Sequence, residues 1–266
     1  MFDFTMYLSA LAVLLLAGIA GWIFSYARQN VTIVDSLWAL FFLLAALTCV
    51  VLTPLPGPRA TIVIVLVSVW AARLSGYLSW RNWGKPEDHR YQEIRRRNEP
   101  GFAFKSVYLV FGVQAVLAWI IAAPLVAGIA SQTPLGLLDY VGIALWMVGF
   151  LFETIADWQL TRFKANPDNQ GKVMDRGLWR STRHPNYFGE ACLWWGTWLM
   201  AVSAGGWWTI FSPLLMSVLL LKVSGVALLE KDISTRRPAY RDYIARTNAF
   251  FPWPHRSTLS VEKEPV

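Results

Sequence analysis

Residues 31–53 read VTIVDSLWALFFLLAALTCVVLT, an apolar run in which Asp35 is the only charged side chain. An α-helix rises 1.5 Å per residue, so about 20 apolar residues cross the hydrocarbon core of a bilayer. Six more runs share this character, at roughly 4–25, 60–80, 105–129, 136–159, 188–204 and 207–229. Chain breakers fall between them: Pro54-Leu55-Pro56-Gly57-Pro58, Gly84-Lys85-Pro86, Pro134, Pro167 and Gly205-Gly206. The expected fold class is all-α, a polytopic membrane helix bundle with seven transmembrane helices in a single integral-membrane domain.

Composition agrees. The chain is 55% hydrophobic and 15% charged, where soluble domains carry about 25% charged residues. Phe4–Phe24 lacks the basic start and small-residue cleavage site of a signal peptide, so it reads as a retained helix. Cys49 and Cys192 both lie in apolar runs, which argues against a disulfide and against a cysteine metal site. The net charge of +7 would point to nucleic acid in a soluble protein. Here its distribution points to topology instead, and no nucleic-acid partner is expected. With seven spans, every Lys and Arg except Arg59, Arg73 and Lys222 falls on one side of the membrane. The positive-inside rule then places the N-terminus outside and the C-terminus in the cytoplasm.

The ionisable residues inside the spans are the functional signal, because burying them in lipid is costly. Asp35, Glu153, Asp157, Glu190 and Glu230 lie in spans or at their ends, all in the cytoplasmic half. Glu153 and Asp157 share a helix face, as do Asn186 and Glu190, and Arg73 and Tyr77. Headgroup contacts account for such charges one at a time; together they point to a polar cavity open to the cytoplasm. Asp35 has two expected arrangements, a pair with Arg73 or a proton that makes it a hydrogen-bond donor.

The stretch Gly177-Leu178-Trp179-Arg180-Ser181-Thr182-Arg183-His184-Pro185-Asn186-Tyr187-Phe188-Gly189-Glu190 sets basic and polar groups at a helix start. Cations before a helix N-terminus suit an anionic, phosphate-bearing ligand. Upstream, Asn166-Pro167-Asp168-Asn169-Gln170-Gly171-Lys172 is a run of turn formers ending in a cation. Such a run can wrap a phosphate, although an ordinary solvated loop has the same composition. Neither a Gly-x-Gly-x-x-Gly fingerprint nor a Walker loop is present. His184 stands alone beside this cluster, so no metal site is expected there.

These residues carry a family resemblance. Gly177-Leu178-Trp179, Arg183 to Glu190, Glu230 and the Tyr240/Tyr243 tail resemble the steroid 5-alpha-reductase superfamily. Within it the chain is similar to a bacterial branch of small seven-span proteins described by a domain of unknown function (1295-like). Asp35 to Trp38 and the run Glu87-Asp88-His89-Arg90-Tyr91 also resemble that branch. The resemblance implies NADPH-dependent reduction of the 4,5 double bond of a 3-oxo-Δ4 steroid or similar lipid enone. It implies NADPH contacts at Asp157, Lys164, Asn166, Lys172, Arg180, Arg183, His184, Asn186, Tyr187, Glu190, Glu230, Tyr240 and Tyr243. It implies a substrate site near Trp38, Trp70 and Arg73, with Asp35 as the carbonyl-polarising acid and Tyr77 or Tyr187 as a second donor. Residues 1–130 would then form the substrate-side helices, 131–255 the cofactor-binding half and 256–266 a disordered tail. The expected partners are membrane lipids and a lipophilic substrate entering from the bilayer, with no obligate protein partner. The expected location is a bacterial inner membrane with the site facing the cytoplasm.

Two other readings fit part of the pattern. Membrane methyltransferases that use S-adenosylmethionine share an Arg-His-Pro-x-Tyr start to a helix. They usually carry an acidic pair near the equivalent of Glu230, where this chain has Glu230-Lys231. A seven-span receptor or transporter would distribute polar residues to both faces, whereas Arg59 is the only basic group on the outer side.

Overall fold

The computed structural model describes residues 3–223, 225–230, 233 and 238–254. Several cations in the charge count (Lys231, Arg236, Arg237, Arg256 and Lys263), His255 and the expected tail 256–266 lie outside the described residues. Among the described residues the structure is helical throughout, with no strand. Six helices are long and apolar enough to cross a membrane, which makes this an integral membrane protein. They are α1 (Phe4–Arg28), α2 (Ile33–Leu52), α3 (Pro58–Asn82), α5 (Phe102–Ile121), α7 (Leu137–Ala165) and α9 (Trp207–Glu230). Between them lie α4 (His89–Asn98), α6 (Ala123–Ala130) and α8 (Pro185–Ser203), and α10 (Tyr240–Arg246) follows. The remaining expected span, 188–204, corresponds to α8. It has 19 residues, but Pro185, Asn186 and Glu190 in its first two turns leave it less apolar than the other six.

Local chemistry sets the helix ends. Asp3 caps α1 by accepting from the Thr5 and Met6 amides at 2.8 and 3.2 Å, and Gln29 ends it in the left-handed region at φ 52°. Gly57 and Pro58 open α3, where proline loses no helical hydrogen bond. The expected single span 105–129 is broken at Ala122, just before Pro124, and carries a π turn at Val107–Gly112.

The chain divides into two compact units: residues 1–141 with 197–212, and residues 142–196 with 213–266. The first unit thus takes back 197–212, a stretch the sequence had placed in the other half.

In the first unit α2 is the central helix, packed on α1, α3, α5 and α6. Phe41, Phe42, Ala45, Ala46 and Cys49 are fully buried along it. The largest surprise in this unit is Arg59. The sequence made it the lone cation of the outer side and passed over Asp139, yet both are buried, 0% and 1% exposed. Arg59 Nε and Nη2 donate to the Asp139 carboxylate at 2.6 and 2.8 Å. The remaining donors reach Thr133 Oγ1, the Pro134 carbonyl and Ser203 Oγ at 3.1, 3.1 and 3.3 Å. Asp139 in turn accepts from Ser203 Oγ at 2.5 Å and from the Gly136 amide at 2.8 Å. Asp139→Asn should cost about 3–5 kcal/mol, because it strands a buried guanidinium. The Arg59→Met/Asp139→Leu pair should recover most of that loss, since no charge is then left buried. Thermal unfolding of the three purified proteins in one detergent checks both statements.

In the second unit α7 and α8 approach until their backbones touch. Gly142 and Gly149 lie seven residues apart on α7, and Gly189 and Gly196 seven apart on α8. A Cβ on Gly149 would stand 2.4 Å from the Gly189 carbonyl oxygen, and one on Gly196 would stand 2.5 Å from the Gly142 oxygen. Small residues permit such close packing between helices in a bilayer.

Candidate functional site

Besides the Arg59–Asp139 network, the described residues form a polar cluster around Asp35 in the first unit and another around Glu230 in the second. In the first unit, the loop after α3 folds back over the start of α2. Glu87 Oε1 accepts from the Val31 amide at 2.9 Å, and the Asp88 amide donates to Thr32 Oγ1 at 2.9 Å. These bonds fasten the loop to the two residues that precede α2. Helix α4 then delivers its first residues to Asp35. Arg90 Nη2 donates to Asp35 Oδ2 at 2.8 Å, and the Tyr91 hydroxyl donates to Oδ1 at 2.5 Å. Gln114 Nε2 donates to the Tyr91 oxygen at 3.2 Å.

Neither expected arrangement of Asp35 is the one observed. Its partners are Arg90 and Tyr91 rather than Arg73, and it accepts from both, so it is not poised as the donor. Burial first, and the Asp35 carboxylate next, raise the Tyr91 phenol well above the ordinary tyrosine range. Burial works against the Arg90 charge, but Asp35 and Asp88 outweigh it and hold the guanidinium above its usual value. The sequence passed over Tyr91 as a site residue, although it quoted the run containing it. The pairing spans 56 positions, and only the return of the loop over α2 reveals it.

The other expected substrate-side residues are placed as follows. Trp38 and Trp70 both pack against Phe42, at 5.1 and 5.7 Å between ring centroids. Tyr77 lies between two guanidinia on its own helix, Arg73 and Arg81, each 5.6 Å from the ring.

In the second unit the motif residues converge on Glu230. Arg183 Nε and Nη2 donate to the two oxygens of Glu230 at 2.7 and 2.8 Å, a bidentate fork. His184 Nε2 lies 2.9 Å from Glu230 Oε1. Arg183 Nη1 also donates to the Thr247 and Ile244 carbonyls at 2.5 and 3.3 Å. Glu230 outweighs burial and raises the Arg183 guanidinium above its usual value. Tyr187 stacks on the His184 ring at 5.5 Å with a 4° interplanar angle. Tyr243 is 1% exposed, and its hydroxyl donates to the Trp179 carbonyl. Tyr240 meets the Tyr243 ring edge-on at 5.2 Å.

At the start of α8, Asn186 Nδ2 donates to Asp157 of α7 at 3.4 Å, joining the two polar faces read from the sequence. Glu153, Asp157 and Glu190 are all buried there. The glycine contacts explain why these faces meet, since Gly189, beside Glu190 on α8, packs against the α7 backbone at Gly149 and Glu153.

Some expected contacts have other employment. Arg183 spends four of its donor positions inside the protein and Tyr243 spends its hydroxyl on a backbone carbonyl, so both position the cluster. Asn166 Oδ1 accepts from the Asp168 amide at 3.0 Å and shapes its own turn. Helix α7 runs on to Ala165, which puts Lys164 in its last turn rather than in the loop. Lys164, Lys172 and Arg180 remain exposed cations of this unit. No group of three or more His, Cys, Asp or Glu able to hold a metal occurs among the described residues.

The combination defines a membrane-embedded helical protein with part-buried polar networks around Glu230 and around Asp35. The chain belongs to the family described as Protein of unknown function (DUF1295), which matches residues 21–247. An uncharacterized protein of Schizosaccharomyces pombe, C594.04c, is similar to it. The two are 28% identical over 278 residues, covering 90% of this chain and 78% of the yeast protein. No solved structure matches the chain.

Proposed function

We propose that this protein is an NADPH-dependent reductase of a lipid enone, with a 3-oxo-Δ4 steroid as the model substrate, in the manner of the steroid 5-alpha-reductase superfamily. The observation that carries the reading is the second-unit network. Arg183 and His184, neighbours in the motif that resembles that superfamily, both hydrogen-bond to Glu230, 47 and 46 positions further along the chain. The reading assigns the cofactor to this unit. Asn186, Tyr187, Glu190 and Tyr240 are the contacts proposed for it, and Lys164, Lys172 and Arg180 are the cations for a 2′-phosphate. NADPH would supply the hydride.

The reading takes the polarising group from the hydrogen bonds around Asp35. An enone takes hydride at its β-carbon only if charge on the carbonyl oxygen is stabilised. Tyr91 has one proton to give, to Asp35 or to a substrate oxygen. Asp35 keeps Arg90 in either case, so Tyr91 is the proposed donor and Asp35 holds it in place. The same reading takes α8 as a seventh span and places the N-terminus outside. It sets the site on the cytoplasmic side of a bacterial inner membrane, supplied with substrate from the bilayer.

Purified protein should bind NADPH at least about tenfold more tightly than NADH, since a cation opposite a phosphate dianion forms charge-assisted hydrogen bonds. Lys172→Ala should narrow that gap. Equal affinity for the two dinucleotides would count against the assignment, and tight binding of S-adenosylmethionine in their place would favour a methyltransferase.

A further inference from the structure

The basic residues near the ends of α1, α3 and α4 differ in how they are paired. Those of α4 are neutralised by neighbouring acids: Arg90 by Asp35 and Asp88, Arg95 by Glu87, and Arg96 and Arg97 by Glu93. Arg28 and Lys85 have no carboxylate within ion-pair distance among the described residues, and both are exposed. Arg28 lies between two aromatic rings, with its guanidinium carbon 5.4 Å from the Phe24 centroid and 5.2 Å from that of Trp83. Helix capping does not explain it, because the Gln29 amide already returns to the Ser25 and Tyr26 carbonyls. Lys85 is tied to the same place, as Asn30 Nδ2 donates to its carbonyl at 3.3 Å. Trp83 is 71% exposed and Phe24 44%.

We propose that Arg28, Trp83 and Lys85 form a binding patch for the phosphate of an anionic phospholipid headgroup. The patch stands where α1 and α3 end, which is the level of the headgroups if these helices cross the bilayer. Tryptophan favours that level, with its ring body in the apolar region and its N–H in the polar one. A guanidinium held on aromatic faces keeps its outward N–H donors, and a planar fork suits a phosphate. The charge is complementary, and no carboxylate among the described residues pairs with it. The α4 arginines, already matched to acids, have less to offer a second anion.

The test is native mass spectrometry of the full-length protein released from bilayers of equal phosphatidylglycerol and phosphatidylcholine. Wild type should retain phosphatidylglycerol preferentially. Arg28→Gln/Lys85→Gln should weaken retention by roughly 30-fold at low ionic strength, the combined effect of two surface cations. Arg96→Gln/Arg97→Gln, with the same change in net charge, should weaken it by less than about threefold, because Glu93 already opposes those arginines. Equal losses in the two double variants would overturn the proposal, since only bulk charge would then matter. So would the absence of a phosphatidylglycerol preference in wild type, or its abolition by equimolar inorganic phosphate. If the first double variant does not fold, Trp83→Leu replaces it. That variant leaves the charge unchanged and should still reduce retention; unchanged retention would overturn the proposal.

Discussion

Gly189→Ala should leave little folded protein. A Cβ at this position would stand 2.6 Å from both the Glu153 amide nitrogen and the Gly149 carbonyl oxygen. Both are backbone atoms, so no flexible side chain can swing aside, and α7 and α8 must part. Overpacking typically costs about 1–3 kcal/mol, and a backbone obstruction puts this site at or above the top of that range. Gly149→Ala should behave alike, with its Cβ 2.4 Å from the Gly189 oxygen. Separation of the helices also pulls Asn186 from Asp157, so any protein that survives should bind the proposed cofactor poorly. Gly76→Ala is the control: a Cβ there meets nothing within 4 Å, and alanine is the better helix former by about 1 kcal/mol. Size-exclusion profiles and thermal midpoints in detergent compare the three.

Tyr91→Phe should slow hydride transfer by about 100- to 1,000-fold, the usual consequence of losing one donor to a developing oxyanion. NADPH affinity should be unchanged, because Tyr91 is assigned to the substrate oxygen and not to the cofactor. Asp35→Leu should be as damaging, since it releases both Tyr91 and Arg90; Asp35→Asn, which still accepts a hydrogen bond, should lose less. A purely structural role predicts the reverse, a lower thermal midpoint with the rate intact in whatever folds. The pH dependence follows from sign. Tyr91's folded value is raised, so its proton is fully present below the unfolded value near 10 and is lost only as pH climbs through the higher folded one. A decline in rate below pH 9 should therefore come from another group. A rate in Tyr91→Phe equal to wild type would remove this residue from the reaction.

The spans were legible because hydropathy is additive along the chain. Five of the seven expected runs match a single membrane-length helix closely, among them 31–53 against Ile33–Leu52 and 60–80 against Pro58–Asn82. The run 105–129 is split at Ala122. The run 188–204 became α8, whose polar start the hydropathy pattern had set outside the span. The gathering of Arg183, His184 and Glu230 was hinted at by their residue types, but not which of them would be neutralised internally. Arg183 looked like a phosphate ligand and proved to be a clamp, because cation counting cannot tell which carboxylate a guanidinium will meet. Asp35 with Tyr91, and Arg59 with Asp139, are pairs 56 and 80 positions apart. Such pairings are set by how loops return over helix ends, which periodicity does not encode. The seven-residue spacing of the glycines on α7 and α8 was not among the expected features, and only their contact shows what it is for.

The most direct test of the central claim is single-turnover oxidation of NADPH by the purified protein with a 3-oxo-Δ4 steroid, followed by the fall in nicotinamide absorbance and by product mass. The proposed reading expects one equivalent of NADPH to be consumed and a product two mass units heavier than the substrate, with no such change in Tyr91→Phe on the same timescale. Absorbance that stays constant across a panel of lipid enones, from protein that is folded and saturated with NADPH, would contradict it.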